Sequence, residues 1–185
     1  MTKMATTDWQ DVIDFWFTDL GPEQWFGRDP ELDRAITERF ANLHARAAQC
    51  ELYRWRDAAR GRLAEVIVLD QFPRNIFRDQ SGAFATDAVA LALAQEAVAA
   101  GADRELEAVE RSFLYMPYMH SESPAIHEVA MELYGQEGLE YNLKFEIDHK
   151  AIIDRFGRYP HRNAILGRES TPDEEAFLKQ PGSSF

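Results

Sequence analysis

The sequence predicts an all-α fold, and three observations support this. Apolar residues recur at helical spacing along most of the chain, capping residues and prolines mark successive helix starts, and no segment alternates as a strand does. Short connections predict about seven to eight helices that pair as antiparallel hairpins in a bundle or solenoid. No segment repeats at a period of about 34 residues, so a regular repeat array is not visible.

Composition limits the class of protein. The 185 residues fit a single helical domain, 1–185, and the 45% hydrophobic and 12% aromatic content is too high for a disordered chain. The net charge of −12 argues against nucleic acid or an anionic membrane as a partner. No apolar run approaches the roughly 20 residues that cross a bilayer, and the N-terminus has no signal-peptide core, so we expect a soluble cytoplasmic protein.

The chain has one cysteine, Cys50. A single cysteine excludes an intramolecular disulfide and a thiolate-rich metal site. We expect Cys50 to be a small buried apolar residue, and we expect no bound cofactor.

The first helices follow from capping and periodicity. Thr7-Asp8-Trp9-Gln10 is a capping box, and the helix it opens runs until Gly21-Pro22 stops it. Asp29-Pro30 begins the second helix. The third helix runs from about Asp57 into the stretch 68–78. The apolar stripe of the second helix is Leu32, Ile36, Phe40, Leu43 and Ala47.

Breakers and small residues divide the middle of the chain. Pro73 should kink or end the third helix, because proline removes a backbone donor and disfavours helical geometry at the residue before it. A turn at 79–82 follows. Thr86 or Asp87 can cap a fourth, alanine-rich helix, which ends at Gly101 because glycine suits a left-handed cap.

A fifth helix is predicted to begin near Asp103. Met116-Pro117 should interrupt it and leave Tyr118–Glu122 as a connection. Ser123-Pro124 then begins a sixth helix, and two glycines follow that helix.

A seventh helix is predicted from about Leu139 to Phe156, with Gly157 as its C-cap. Arg158–Leu166 should be irregular or form one helical turn. Thr171–Glu174 is a capping box that opens a last short helix, which Pro181-Gly182 ends.

The third helix ends in a cluster of polar residues that need partners. Asp70 and Arg74 lie four positions apart, which places them on one helical face within ion-pair reach. One interpretation is that Asp70 pairs with Arg74 while Asn75 satisfies free carbonyl groups at the helix end. The other is that Arg74 directs its donors into a pocket and binds a carboxylate or phosphate.

Two histidines are further candidates. If Pro117 leaves the next segment extended, His120 and Glu122 share a face and could orient an imidazole for acid–base chemistry or supply two metal ligands. The alternative is that Glu122 belongs only to the start of the sixth helix, where negative charge is favourable. His149 lies on an apolar helical face, where a satisfied core histidine is the simpler interpretation.

A basic segment interrupts the acidic chain. Lys144–Arg168 contains six basic against three acidic residues, which suggests a small anion as its partner. Within it, Arg158–Asn163 repeats the order aromatic, proline, arginine, asparagine of Phe72–Asn75. If the two segments face each other, they form a cavity lined by arginine and asparagine, with His161 at its edge.

Several blocks resemble signature blocks of the bacterial domain-of-unknown-function 924 family. They are Leu69–Asn75, Phe113–Glu122, and His161–Asn163 with Leu166–Arg168. Their order and the opening segment Val12–Phe17 match as well, so the resemblance covers nearly the whole chain. It implies a tetratricopeptide-like superhelix or an irregular bundle of similar helices, and it implies no activity and no catalytic residues.

The leading hypothesis is a pocket that binds a small anionic ligand, in a protein that could also be an acid–base enzyme. Arginines would hold the anion, and a histidine with a carboxylate partner would move a proton. The candidate catalytic residues are His120, Glu122 and His161. The candidate ligand-binding residues are Asp70, Arg74, Asn75, His149, Arg158, Arg162 and Asn163.

Two alternatives remain open at this point. The first is a metal site that uses His120, Glu122 and His149 with one further histidine, His127 or His161, although the Glu-x-x-His spacing of di-iron bundles is absent. The second is a protein- or peptide-binding helical scaffold, in which the polar motifs are structural and exposed aromatic residues line a groove. The candidates for that groove are Trp25, Tyr53 and Trp55. The sequence predicts no oligomeric state.

Overall fold

A computed structural model of the chain describes residues 8–184. Within that range every regular element is helical, so the predicted all-α fold is confirmed. Eight helical segments contain at least seven residues when the first helix is counted with the π-helical turn that continues it. The α-helices are α1 (Trp9–Asp14), α2 (Pro22–Trp25), α3 (Pro30–Ala48), α4 (Ala59–Asp70), α5 (Phe72–Ile76), α6 (Asp87–Ala99), α7 (Ala108–Met119), α8 (Pro124–Tyr134), α9 (Glu140–Phe156) and α10 (Pro172–Leu178).

Helix α1 has a different cap from the predicted one. Asp8 is the N-cap and forms a capping box with Asp11, whereas the predicted box began at Thr7, which lies outside the described residues. A π-helical turn, Phe15–Asp19, continues the helix to Leu20. Helix α1 packs against α4.

Helix α4 lies at the centre of the core. It packs against α1, α3, α6 and α7, and residues 63–70 are all buried. Its buried Glu65 accepts two hydrogen bonds of 2.7 Å from Arg56. A Cβ atom at Gly61 would lie 2.0 Å from the carbonyl oxygen of Trp55. Glycine at this position therefore lets the preceding turn pack directly on the helix.

Helix α3 buries the whole predicted apolar stripe. The expectation for Cys50, which follows this helix, is wrong, because its side chain is exposed. Cys50 has a φ of 59°, in the left-handed region, within the turn that ends the helix. The turn leaves the thiol at the surface instead of in the core.

Two predicted features of helix boundaries are wrong. Helix α7 runs through Pro117 to Met119, although the proline was expected to interrupt it. Residues 112–119 are all buried, and tertiary packing outweighs the loss of one helical hydrogen bond. The side chain of Thr86 does not cap α6. Its hydroxyl donates to the carbonyl oxygen of Leu69 at 2.6 Å and ties the start of α6 to the end of α4.

One apolar stretch within the described residues is long enough to cross a membrane, whereas the sequence was expected to contain none. By length and composition alone Ser81–Ala99 qualifies, with a mean hydropathy of 1.2. However, its Asp87 forms an ion pair with Arg74, and three of its alanines are buried in the core. These contacts make the stretch part of a soluble globular helical domain.

The C-terminal helices precede and follow the turn that contains Arg162. Helix α8 packs against α9, and α7 contacts both. Gly157 ends α9 with a φ of 68°, as predicted, and a single helical turn, Pro160–Arg162, follows. The predicted capping box of Thr171 and Glu174 opens α10. A tetratricopeptide-like arrangement of the helices stays a prediction.

Candidate functional site

A cavity of 380 Å³ lies where three segments meet. These are the start of α6 with the turn before it, the end of α7, and the turn at Pro160–Arg162. The volume lies within the range of small-molecule sites. The polar residues that line the cavity are Ser81, Asp87, His120, Ser121, Glu122 and Arg162.

A buried carboxylate holds the imidazole of His120 at this cavity. The ring Nδ1 donates to Oδ1 of Asp70 at 2.8 Å, and Gln71 donates to the other oxygen at 2.6 Å. Burial acts to raise the pKa of Asp70, but His120 and Arg74 outweigh it and lower the pKa below its ordinary value. Within residues 8–184 the Nε2 of His120 makes no hydrogen bond, so it is the ring nitrogen left for a bound molecule.

Arg74 pairs with Asp87, so the predicted ion pair with Asp70 is wrong. Its guanidinium donates to the two carboxylate oxygens of Asp87 at 2.6 and 3.0 Å, and also to the carbonyl oxygen of Ala83. Burial acts to lower the pKa of Arg74, but the charges of Asp70 and Asp87 raise it above its ordinary value. The ion-pair partner of Arg74 is thus the first residue of α6, and not Asp70, which lies one helical turn before Arg74.

Arg162 lines the cavity with an incompletely paired guanidinium. The side chain is 8% exposed, and its Cζ lies 4.6 Å from the ring centroids of both Phe84 and Tyr159. In the described part of the chain its one carboxylate contact is to Asp87 at 3.5 Å, and its buried Nε has no hydrogen-bond partner. Burial and the charge of Arg74 lower the pKa of Arg162.

Glu122 lines the cavity and is bound to the C-terminal segment. Arg168 donates to its two oxygens at 2.7 and 2.9 Å, and the backbone N–H of Tyr159 donates to one of them at 2.8 Å. Burial acts to raise the pKa of Glu122, but these bonds lower it. The predicted extended geometry is wrong, because His120 has helical φ and ψ values of −81° and −8°. Both side chains nevertheless line the cavity.

A second carboxylate–histidine pair lies behind the cavity. The Nδ1 of His127 lies 2.6 Å from Oε1 of Glu146, and both side chains are fully buried. The Nε2 of His127 donates to the carbonyl oxygen of Ser121 at 2.8 Å. Burial raises the pKa of Glu146, and the other oxygen of this residue has no hydrogen-bond partner among the described residues. The pair therefore fixes the backbone next to His120.

The ring of Tyr159 contacts the rings of three histidines. Its ring centroid lies 6.3, 5.8 and 5.7 Å from those of His127, His149 and His161. Burial lowers the pKa of His149 to about 3 and that of His161 to about 4. Both imidazoles are therefore neutral near pH 7. His149 also lines a separate cavity of 570 Å³ between α9 and the C-terminal segment.

Three predicted ligand-binding residues are bonded to other protein groups and do not line the cavity. Asn75 donates to a carboxylate on α3 at 2.8 Å. Arg158 donates to both oxygens of Glu174 at 2.7 and 2.8 Å. Asn163 accepts a hydrogen bond of 3.0 Å from Arg168. Of the predicted site residues, His120, Glu122 and Arg162 line the cavity. Asp70 and Arg74 do not line it but bond to the lining residues His120 and Asp87. The predicted residues without either relation are Asn75, His149, Arg158, His161 and Asn163.

Sequence reasoning missed three contributors to the site. Asp87 was considered only as a helix cap, Arg168 only as part of the basic segment and a family block, and Phe84 not at all. Asp87 and Arg74 are 13 positions apart, and no local pattern connects residues at that separation. The charge of the basic segment was the one signal for Arg168.

The structure does not support the alternative of a metal centre. Within the described residues no group of three or more His, Cys, Asp or Glu side chains is arranged to hold a metal ion. The Nδ1 atoms of His120 and His127 are each bonded to a carboxylate in a separate pair, and His149 lies at the other cavity.

A family model described as "Bacterial protein of unknown function (DUF924)" matches residues 12–182. The chain belongs to this family. The resemblance of the signature blocks is therefore confirmed. A solved structure, that of the protein of unknown function ATU0120 from Agrobacterium tumefaciens, is similar to this DUF924 protein with 40% sequence identity and a TM-score of 0.88. The match covers 92% of this chain and 96% of that one. No curated protein matches the chain.

Proposed function

We propose that this DUF924 protein is cytoplasmic and binds a small anionic ligand, with a carboxylate or phosphate group, in the cavity between His120 and Arg162. The observation that carries the proposal is the buried, incompletely paired guanidinium of Arg162. The net charge of −12 disfavours nucleic acid and anionic membranes as partners. A small molecule is therefore the partner we expect.

Two arginines next to the cavity are paired with carboxylates of its lining. Arg74 donates to both oxygens of Asp87, and Arg168 donates to both oxygens of Glu122. Arg162 has only a long contact with Asp87, whose oxygens Arg74 already occupies. The buried Nε of Arg162 has lost hydration without a replacement hydrogen bond from the described residues. Ligand oxygen atoms in the cavity would offset that loss.

Asp70 and His120 add the parts of an acid–base site. Asp70 accepts from Nδ1 of His120, which orients the ring and leaves Nε2 for proton transfer. Glu122 is already bound to Arg168 and is better placed to position the segment than to move a proton. We therefore assign the proton-transfer role to His120, with Asp70 as its positioning residue.

The dimensions of the site favour a small ligand over a peptide. A peptide-binding scaffold would present a long open concave face, whereas the convergence of Arg162 and His120 forms a cavity of 380 Å³. Of the aromatic residues considered for a groove, Trp25 and Trp55 pack against the core and Tyr53 is exposed.

The test compares Arg162→Gln with Arg104→Gln, which changes an exposed arginine elsewhere on the surface. Both variants and the wild-type protein are titrated with acetate and inorganic phosphate, and backbone amide shifts are followed by NMR. We expect at least one anion to shift residues at the cavity of the wild-type protein, and Arg162→Gln to weaken that binding by about tenfold or more. Arg104→Gln should bind as the wild type does.

Two results would overturn the proposal. One is that neither anion affects the cavity residues of the wild-type protein. The other is that Arg162→Gln binds as tightly as the wild type while its thermal midpoint shows that it is folded. If Arg162→Gln does not fold, Arg162→Lys takes its place, because lysine keeps the charge and loses the planar pair of donors.

A further inference from the structure

The charges around the cavity limit the charge of its ligand. Three arginines and three carboxylates either line the cavity or bond directly to residues that do, so their charges sum to zero. They are Arg74, Arg162, Arg168, Asp70, Asp87 and Glu122. The net charge of the site then depends on the protonation of His120. The net charge is zero when its imidazole is neutral and +1 when both ring nitrogens are protonated.

The groups behind His120 do not change this sum. His149 and His161 are buried and neutral near pH 7. His127 and Glu146 are in direct contact, so a proton that passes from one to the other leaves their combined charge at zero. The charge that surrounds a ligand is therefore set by the three arginines, the three carboxylates and His120.

A monoanion suits this balance, and a dianion does not. A proton taken up at Nε2 of His120 would offset the charge of a monoanion. A dianion would leave one uncompensated negative charge in a site that contains the buried Asp70 and Arg162, and such charges are costly. A phosphate monoester carries about −1.5 to −2 at pH 7, whereas a carboxylate carries a single charge.

The geometry of Arg162 also suits a carboxylate. Its Cζ lies over the rings of Phe84 and Tyr159, 4.6 Å from each centroid. The N–H groups of a guanidinium covered in this way point along the edge of its plane. A planar carboxylate matches such an edge with two parallel hydrogen bonds.

The remaining lining is apolar. Phe84, Leu91, Pro117 and Leu166 line the cavity together with the polar groups. A volume of 380 Å³ holds about a dozen non-hydrogen atoms, taking about 30 Å³ for each as for a water molecule in the liquid. Apolar walls of this size favour a ligand with a compact apolar body.

We propose that the ligand of this site is a small monocarboxylic acid with a compact apolar body, bound as its carboxylate between Arg162 and Nε2 of His120. This inference rests on the proposed function, because it requires an anion at Arg162. It adds the charge of the ligand and the character of the rest of the molecule.

The experiment uses four probes that separate charge from apolar area. Benzoate has the single charge and the apolar ring, benzamide has the ring without the charge, phenyl phosphate has the ring with a larger charge, and acetate has the charge without the ring. Binding of each probe is measured by titration calorimetry near neutral pH. The proteins are the wild type, Arg162→Gln and the control Arg104→Gln.

We expect benzoate to bind the wild-type protein about tenfold or more tightly than each of the other three probes. Arg162→Gln should lose this preference for benzoate over benzamide. Without the guanidinium, the charge of benzoate gives it no advantage over the uncharged benzamide. Arg104→Gln should behave as the wild type does.

The failures of the inference and of the proposed function are distinguishable. If phenyl phosphate binds as tightly as benzoate or more tightly, and its binding depends on Arg162, the monocarboxylate inference is wrong and anion binding stands. The same holds if acetate binds as tightly as benzoate. If benzamide binds as tightly as benzoate, the inference is wrong. If in addition no anionic probe binds in a way that depends on Arg162, or if no probe binds at about 10 mM, the proposed function is wrong as well.

Discussion

The protein contains two carboxylate–histidine pairs that differ mainly in access. Asp70 and His120 meet at the cavity, where the imidazole side chain is 18% exposed, whereas Glu146 and His127 are both fully buried. The distances from Nδ1 to the carboxylate oxygen are similar, at 2.8 and 2.6 Å. The contact itself therefore does not distinguish the two pairs.

The two pairs differ in the hydrogen bonds of the second carboxylate oxygen and of the histidine Nε2. The second oxygen of Asp70 accepts from Gln71, whereas the second oxygen of Glu146 has no hydrogen-bond partner among residues 8–184. The Nε2 of His127 is used by a backbone carbonyl group. Accordingly, despite burial, the charged and polar neighbours of Asp70 lower its pKa, whereas burial dominates at Glu146 and raises it.

The comparison shows how one pair of side-chain types can serve two purposes. A free Nε2 at a cavity makes His120 available for chemistry, and a fully bonded ring makes His127 part of the framework. The framework pair holds the carbonyl group of Ser121, the residue next to His120. The buried pair therefore supports the accessible one.

The largest effect on stability is expected from a variant that breaks the buried pair of His127 and Glu146. His127→Ala leaves Glu146 buried without its partner, and we expect it to lower the free energy of unfolding by about 3–5 kcal/mol. The measurement is denaturant-induced unfolding followed by circular dichroism. The matched control is His120→Ala, which should cost less, about 1–3 kcal/mol, because Asp70 keeps its bond from Gln71 and the charge of Arg74 nearby. Equal losses for the two variants would contradict the division into a framework pair and a functional pair.

A smaller effect concerns the pH dependence of stability. Folding raises the pKa of Glu146, so its contribution to stability is complete below 4.5 and is lost as the pH rises through the folded-state value. Folding lowers the pKa of Asp70, so its contribution is present above 3.8 and is lost as the pH falls through the folded-state value. Each unit of difference in pKa corresponds to about 1.4 kcal/mol.

Two isosteric variants separate these contributions. Glu146→Gln should remove the loss of stability above pH 4.5, and Asp70→Asn should remove part of the loss below pH 3.8. The free energy of unfolding is measured across the range from about pH 3 to pH 8. If the dependence of the free energy of unfolding on pH keeps its wild-type shape in both variants, these carboxylates do not cause the losses of stability at low and high pH.

The smallest expected effect on stability is that of His120→Gln. The amide group can still donate to Asp70, so we expect the free energy of unfolding to change by no more than about 0.5 kcal/mol. The variant cannot take up a proton, and benzoate binding should therefore weaken. The two measurements are thermal unfolding and titration calorimetry on the same preparation. A large loss of stability with unchanged binding would assign His120 to the framework instead.

Local sequence patterns predicted most of the helices correctly. The stripe on α3, the capping box at Thr171 and the glycine that ends α9 all depend on residues within about one helical turn of each other. Pro117 shows the limit of such patterns. The local rule for proline predicted a break, but the packing of α7 in the core kept the helix continuous.

The candidate site was predictable in its residue types and not in its pairings. Asp70, His120 and Arg162 were singled out because polar side chains lay next to apolar runs and prolines, where they needed partners. The predicted partner of Arg74 was Asp70 on the same helical face, yet the structure pairs Arg74 with Asp87. Asp87 competes successfully because the start of α6 presents both of its oxygens to the guanidinium.

The sequence by itself determined the all-α class, the caps at Gly157 and Thr171 and the segments in which the site lies, because each of these depends on neighbours along the chain. Only the tertiary structure decided which carboxylate meets which cation. The two carboxylate–histidine pairs join residues 50 and 19 positions apart. At such separations the packing of helices around α4 chooses the partner, and burial then decides whether the pair serves a cavity or the framework.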